Sequence, residues 1–491
     1  MATHVRWDPG NLVALDDCSD AQFGRDSRIR QLSLDVVGPT RPTMASRWLL
    51  AIFGGVSILT LASAGPVPSK AEIVSVDSKY PRDIDLNAKA QHYVSLRSVP
   101  RSASSVRTAR RDGLAGRDPP YHQGNAGLYN AQDMYYVTDI TVGNKTVPVT
   151  IDTGSSDTWF VQSPFTCMDY YGRHVEESKC GFGTSYIANF SQGVIDNAVF
   201  SRSYADGTYV YGYFGFDDVT IGGVTIQHQQ LAMVNNTYWY GDGKASGLLG
   251  LAYPLMTGMD GNIPEYNPIF TNMWERDFIM PLFTLGLSRE DTNTSSSDES
   301  YLAFGGLPPV DYDDSTWGRT PILTMQSEPG WGITTDVRGL YIISADAYVY
   351  GKLNTSAADP YGNLIVNTTQ FPILIDCGSS LTRLPTAMTT AIFKSFSTPP
   401  QYLENDGAYY APCNARVPAF GVRVGSETYY MSPDDLLRQN ARDVETGRLC
   451  RVGIVDGGAG PYTLGVTFLS NVVAVFDVGN SEIRFAKRNK Y

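Results

Sequence analysis

Phe371-Pro372-Ile373-Leu374-Ile375-Asp376-Cys377-Gly378-Ser379-Ser380 is an apolar run that stops at an Asp-x-Gly-Ser-Ser turn. The same arrangement occurs once earlier. Lys145-Thr146-Val147-Pro148-Val149-Thr150-Ile151 leads into Asp152-Thr153-Gly154-Ser155-Ser156. Each copy is followed further on by an apolar-Gly segment, Leu248-Leu249-Gly250 and Thr463-Leu464-Gly465. One copy would read as an ordinary turn, since Asp, Gly and Ser dominate turns. Two copies, each ending an apolar strand, indicate an internal duplication and two homologous lobes that face each other.

That pairing has a chemical meaning. Two carboxylates held about 3 Å apart cannot both ionise, so Asp152 and Asp376 would share a proton. The ionised member can take a proton from a water between them, and the protonated member can donate to a substrate carbonyl. Such attack needs no metal, no cofactor and no covalent intermediate. Gly154 and Gly378 let backbone approach backbone at the two turns. Ser155 and Ser379 can donate to the carboxylates. Gly378 and Ser379 are also candidates for contacting substrate.

The surrounding text favours strands. The chain has 491 residues, 42% apolar and 18% charged, with 47 Gly and 30 Tyr. This is a globular composition rich in turn and strand formers. Tyr135 to Val142 alternates, and Gly143-Asn144 marks a hairpin turn before the next run. A short helix is expected at 385–393, opened by Pro385, and a polar loop at 291–300. The expected fold is mostly β and bilobal, with a substrate cleft between an N-terminal lobe (112–310) and a C-terminal lobe (311–491). The boundary falls near Gly305-Gly306-Leu307-Pro308-Pro309.

The first 111 residues read differently. Met44-Ala-Ser-Arg47, the apolar run Trp48–Ala64 and the ending Ala62-Ser63-Ala64 make a signal peptide over 44–64. Residues 1–43 are then an extension upstream of the true start, or a cytoplasmic tail on a chain anchored in a membrane through 48–64. Residues 65–120 are rich in Ser, Arg, Pro and Ala without sustained helical or strand period, and 65–111 read as a propeptide ending at the dibasic pair Arg110-Arg111. Six Asn-x-Ser/Thr sequons follow the leader, at Asn144, Asn189, Asn235, Asn293, Asn354 and Asn367. A secreted glycoprotein is expected, with the vacuole as the alternative address.

Charge separates the same two regions. Residues 1–111 carry 15 Lys+Arg and 10 Asp+Glu, and the rest carries 23 and 40. A basic leader ahead of an acidic body suits a propeptide that docks on its own enzyme near neutral pH and leaves as carboxylates protonate. The acidic body argues against a nucleic-acid partner. Of the six cysteines, Cys167/Cys180 and Cys413/Cys450 form two local pairs, Cys377 stands alone beside Asp376, and Cys18 lies far upstream. Without CxxC spacing, and with only His122, His174 and His228 in the body, zinc has little support. Two disulfides and one free thiol is the simplest reading.

Over residues 130–491 the chain resembles the pepsin-like aspartic proteases, in particular secreted fungal ones. Asp152-Thr153-Gly154-Ser155-Ser156-Asp157-Thr158-Trp159 is similar to the family's first active-site motif and its following tryptophan. Ser203-Tyr204-Ala205-Asp206-Gly207-Thr208 is similar to the hairpin flap that closes over substrate. Gly247–Ala252 and Leu464–Leu469 are similar to the apolar-Gly segments beneath the active-site loops, and Ala474–Asp477 and Ile483–Ala486 to the closing strands. The resemblance implies an acid endopeptidase made as a zymogen and acting on proteins or peptides as a monomer. Asp152 and Asp376 would be its dyad, supported by Ser155 and Ser379. Tyr204 would be the flap tyrosine, hydrogen-bonded towards Trp159. Asp206 at the flap tip would favour a basic side chain in the first subsite. The two cysteine pairs would be the lobe disulfides.

Two positions depart from the family. Cys377 stands where the family has Thr or Ser, whose hydroxyl pairs with that of Thr153 to cross-link the active-site loops. A thiol is a weaker partner, so that link is expected to be looser on one side. Ala205 replaces a common flap glycine and would stiffen the hairpin. A non-catalytic binder of the same fold would not need both aspartates and the flap tyrosine. A two-carboxylate glycosidase does not account for the repeated turn, and a serine hydrolase lacks its Gly-x-Ser-x-Gly elbow.

Overall fold

The computed structural model describes residues 48–50, 59–61, 89–100 and 134–489, apart from 184–186, 242, 259–262, 289–299, 326–336, 355, 357–358, 405–406 and 444. The expectations for residues 1–43, for Arg110-Arg111 and for Asn293 lie outside the described residues. So does most of the 44–64 segment, in which Trp48–Leu50 pairs antiparallel with Leu59–Leu61.

Period-two alternation builds the strands that matter. Lys145–Asp152 buries Val147, Val149 and Ile151 in turn. It is joined to Met134–Val142 through Gly143, whose φ of +57° suits a residue without a Cβ. These strands belong to a 14-stranded sheet. Its run towards the flap is Lys145–Asp152, Gly247–Gly250, Trp159–Met168, Val224–Tyr238, Tyr209–Ile221 and Val194–Ser203. In the other direction, Leu282–Gly286 pairs with Val472–Asp477, which pairs with Glu482–Lys487. The last strands of the chain thus complete a sheet begun in its first half.

The duplication is visible in strand register. Gly247–Gly250 runs parallel to Lys145–Asp152, with Gly250 opposite Asp152. Thr463–Leu464 runs parallel to Pro372–Ile375, with Leu464 opposite Ile375. Trp159–Met168 is parallel to Val224–Tyr238, as Thr382–Leu384 is to Ile454–Asp456. The second half also carries two four-stranded sheets and the helix Thr386–Lys394, which follows Pro385 as expected. The architecture is the mostly β, two-lobed fold that the repeat predicts.

One expectation needs correcting. The 65–111 segment reads as lacking strand period, yet His92–Pro100 is a strand. Its first half pairs with Ser300–Phe304 and its second half with Met134–Val142. The alternation is too short to register locally. Long-range pairing supplies what propensity does not, and Leu96 is buried in the main core.

Candidate active site

Each aspartate ends a buried strand and is held by its own turn in the same way. Asp152 Oδ1 accepts from Gly154 N at 2.7 Å and Oδ2 from Ser155 Oγ at 2.5 Å. Asp376 Oδ1 accepts from Gly378 N at 2.8 Å and Oδ2 from Ser379 Oγ at 2.7 Å. The two carboxyl groups meet across the glycines. A Cβ on Gly154 would stand 2.9 Å from Asp376 Oδ1, and one on Gly378 would collide with Asp152 Oδ1. Both aspartates are buried, at 7% and 8% exposure. Burial, and next the neighbouring Asp376 charge, push the Asp152 carboxyl well above the usual carboxylate range.

The loops are cross-linked beneath the carboxylates. Thr153 Oγ1 donates to Ile375 O at 3.0 Å and accepts from Cys377 N at 3.0 Å. On the opposite side the Cys377 thiol donates to Ile151 O at 3.6 Å. The cross-link is therefore present in both directions, with the longer sulfur contact on the side the sequence singles out. Cys377 is fully buried, and burial followed by the two aspartate charges pushes its thiol up, so it stays neutral. Below the loops, Leu251 N donates to Asp152 O, and Val466 N to Ser379 O, at 2.9 and 2.8 Å. Gly250 and Gly465 lie so close to the backbone of these turns that neither has room for a side chain.

The segment expected to form a flap is the tip of the hairpin of Val194–Ser203 and Tyr209–Ile221, closed by Tyr204 N donating to Thr208 O at 2.9 Å. Trp159 Nε1 donates to Tyr204 Oη at 2.7 Å. Asp206 spends one carboxylate oxygen on Thr208 N and Oγ1, which shapes the tip. Disulfides join Cys167 to Cys180 and Cys413 to Cys450.

Two features are missing from the sequence reading. Trp239 and Phe182 stack on each other and pack edge-on against Trp159, and Trp239 also meets Tyr204. Asp157, directly after the first turn, receives Arg202 Nε at 2.6 Å and Tyr266 Oη at 2.6 Å. A charge on each of two segments otherwise destined for burial, 157 and 202, was the available signal.

Two buried carboxyl groups thus face each other across paired Asp-x-Gly-Ser turns. The family model for eukaryotic aspartyl proteases matches residues 135–488. The chain belongs to that family and is an aspartic-type endopeptidase. It is 36% identical to a probable aspartic-type endopeptidase of Aspergillus fumigatus over 74% of this chain and 81% of the relative. It is 28% identical to rhizopuspepsin-3 of Rhizopus niveus (86% and 94% covered). Barrierpepsin of Saccharomyces cerevisiae is 26% identical (74% and 61% covered).

Proposed function

We propose that Asp152 and Asp376 hydrolyse peptide bonds at acidic pH by sharing one proton and activating a water between them. The observation that carries this is the reciprocal fit in which each carboxyl packs against the other turn's glycine while its own N–H and serine hold it. The shared proton sits on the pair because burial and like charge oppose two ionised groups. The ionised oxygen accepts the water's proton as the water attacks the scissile carbonyl, and the protonated one donates to the carbonyl oxygen. The proton then passes to the leaving amine, so the pair returns to its starting state. Tyr204, held by Trp159, closes over the peptide, and Gly378 and Ser379 contact it beside the dyad. Asp206 keeps a carboxylate oxygen free for a basic side chain in the first subsite.

The protein is made as a secreted zymogen and acts as a monomer. Supporting this, His92–Pro100 lies between two strands of the body while preceding Arg110-Arg111 in the chain. Arg97 gives Asp139 two hydrogen bonds of 2.9 Å, which hold that carboxyl below the usual range. Protonation of Asp139 in strong acid would release that contact. Among the described residues no helix is long and apolar enough to cross a membrane. The test is hydrolysis of casein at pH 3–4 by the secreted, processed chain. Cleavage blocked by pepstatin supports the reading, and no cleavage after removal of residues 65–111 favours a binder. N-terminal sequencing of that product checks the leader and its processing site.

A further inference from the structure

The strand Val224–Tyr238 pairs with Trp159–Met168 on one side and with Tyr209–Ile221 on the other. Both registers slip between Val234 and Asn236. Asn235 is the extra residue of a bulge, outside both ladders, and bulges re-aim the side chain they carry. On the Trp159–Met168 side the slip passes over residues 162–165, since Val161 opposes Val234 and Thr166 opposes Asn236. The gap is an open cavity of about 1100 Å³ whose walls include Asn235, Asn236, Gln162, Glu176 and Tyr211.

The walls are fixed in advance. The Cys167–Cys180 disulfide ties together the two segments that supply Thr166 and Glu177 to the lining. Glu177 Oε1 accepts from Phe165 N at 3.2 Å, and Tyr213 Oη donates to Gln162 Oε1 at 3.2 Å. Tyr211, directly opposite Asn236, leaves 46% of its surface exposed. Asn235 makes no side-chain hydrogen bond among the described residues. It is also the acceptor of a sequon, Asn235-Asn236-Thr237. Thr237 is fully buried, its hydroxyl donating to Tyr209 O at 2.7 Å. The sequon is therefore legible only before this strand folds, which is when the secretory pathway reads such motifs.

We infer that Asn235 carries an N-linked glycan whose core sugars lie in this cavity against Tyr211, bracing the second strand of the flap hairpin. The inference rests on the secretory reading above. The carboxamide nitrogen of Asn235 attacks the anomeric carbon of a lipid-pyrophosphate-linked oligosaccharide. One N–H proton is lost, a C–N bond forms, and the anomeric C–O bond breaks with its electron pair leaving on the lipid pyrophosphate. At about 1100 Å³ the cavity is slightly larger than a typical small-molecule site. An aromatic face takes the C–H face of a sugar ring, and Gln162, Asn236 and Glu176 present amide and carboxylate groups to its hydroxyls.

The test uses the full chain secreted from a fungal host, with glycopeptide mapping and endoglycosidase H time courses on native and denatured protein. Asn235 is expected to be occupied, with release at least tenfold slower from native than from denatured protein. Tyr211→Ala should bring that ratio below about threefold. An unmodified Asn235 beside a modified Asn144 or Asn189, both exposed, overturns this inference alone. Equal native and denatured release, or no effect of Tyr211→Ala, overturns the seating. If no sequon is modified, the secretory reading falls and this inference with it.

Discussion

Replacing Arg202 by Met would strand a buried carboxylate. Asp157 is 4% exposed at its side chain and Arg202 14%, with the guanidinium 2.6 Å from Asp157 Oδ2 through both Nε and NH2. Removing one partner of a buried pair costs about 3–5 kcal/mol, mostly as the penalty of the charge left behind. Tyr266 would still donate to Asp157 Oδ1, which places the expected loss at the lower end, about 3 kcal/mol. For a chain of this size that corresponds to a fall in Tm of roughly 3 °C. The assay is thermal unfolding at pH 5 at a fixed scan rate. Adding Asp157→Asn to Arg202→Met removes the stranded charge and should recover at least ~1 kcal/mol. Arg202 is two residues before Tyr204, and Asp157 two before Trp159, so the pair and the Trp159–Tyr204 hydrogen bond tie the same two segments together. The single variant should therefore also raise KM more than it lowers kcat. A single variant within ~0.5 kcal/mol of the parent, below what any buried pair costs to break, would refute the reasoning. So would a double variant no more stable than the single.

Cys377→Thr should keep or raise peptidase activity and add up to ~1 kcal/mol of stability, since a hydroxyl would replace the 3.6 Å sulfur contact to Ile151 O; a large loss of activity in a standard peptidase assay would contradict this. Gly378→Ala should lower kcat by about 100-fold or more, because its Cβ would displace the Asp152 carboxyl; kinetics on a short peptide would show it. The raised Asp152 carboxyl binds a proton more tightly folded than unfolded. The stability it contributes is full in acid and is lost as pH rises through the raised value. Urea unfolding should show stability falling from pH 5 towards 8, with a shallower fall in Asp152→Asn; an unchanged slope would count against the proton's location.

What the sequence made legible was local. Asp152 and Asp376 each follow their own apolar strand, and the turn residues stand beside them, so both half-sites could be read without knowing what they face. The helix after Pro385 was legible for the same reason, whereas the flap was legible only through the resemblance of Ser203–Thr208 to the family's hairpin. Cys167/Cys180 and Cys413/Cys450 were readable as two local pairs, with Cys377 set apart beside Asp376. The rest depends on residues distant in sequence. His92–Pro100 becomes a strand because residues 300–304 and 134–137 lie on either side of it, and its own short alternation carries no such information. Val472–Asp477 finds Leu282–Gly286 by the same kind of long-range pairing. The Asp157–Arg202–Tyr266 contacts join three separate segments, each of which reads alone as a strand or loop with one polar residue. The bulge at Asn235 is set by two neighbouring strands at once, so the sequon was visible but its cavity was not.

The most direct test of the central claim is single-turnover hydrolysis of a quenched peptide at pH 3.5 by the processed enzyme and by its Asp152→Asn and Asp376→Asn variants, with folding checked by thermal unfolding. If the two carboxyl groups work as one acid–base unit, each replacement alone removes at least about three orders of magnitude of rate, as expected when proton transfer and positioning are lost together. Hydrolysis at the parent rate in either folded variant would contradict the account.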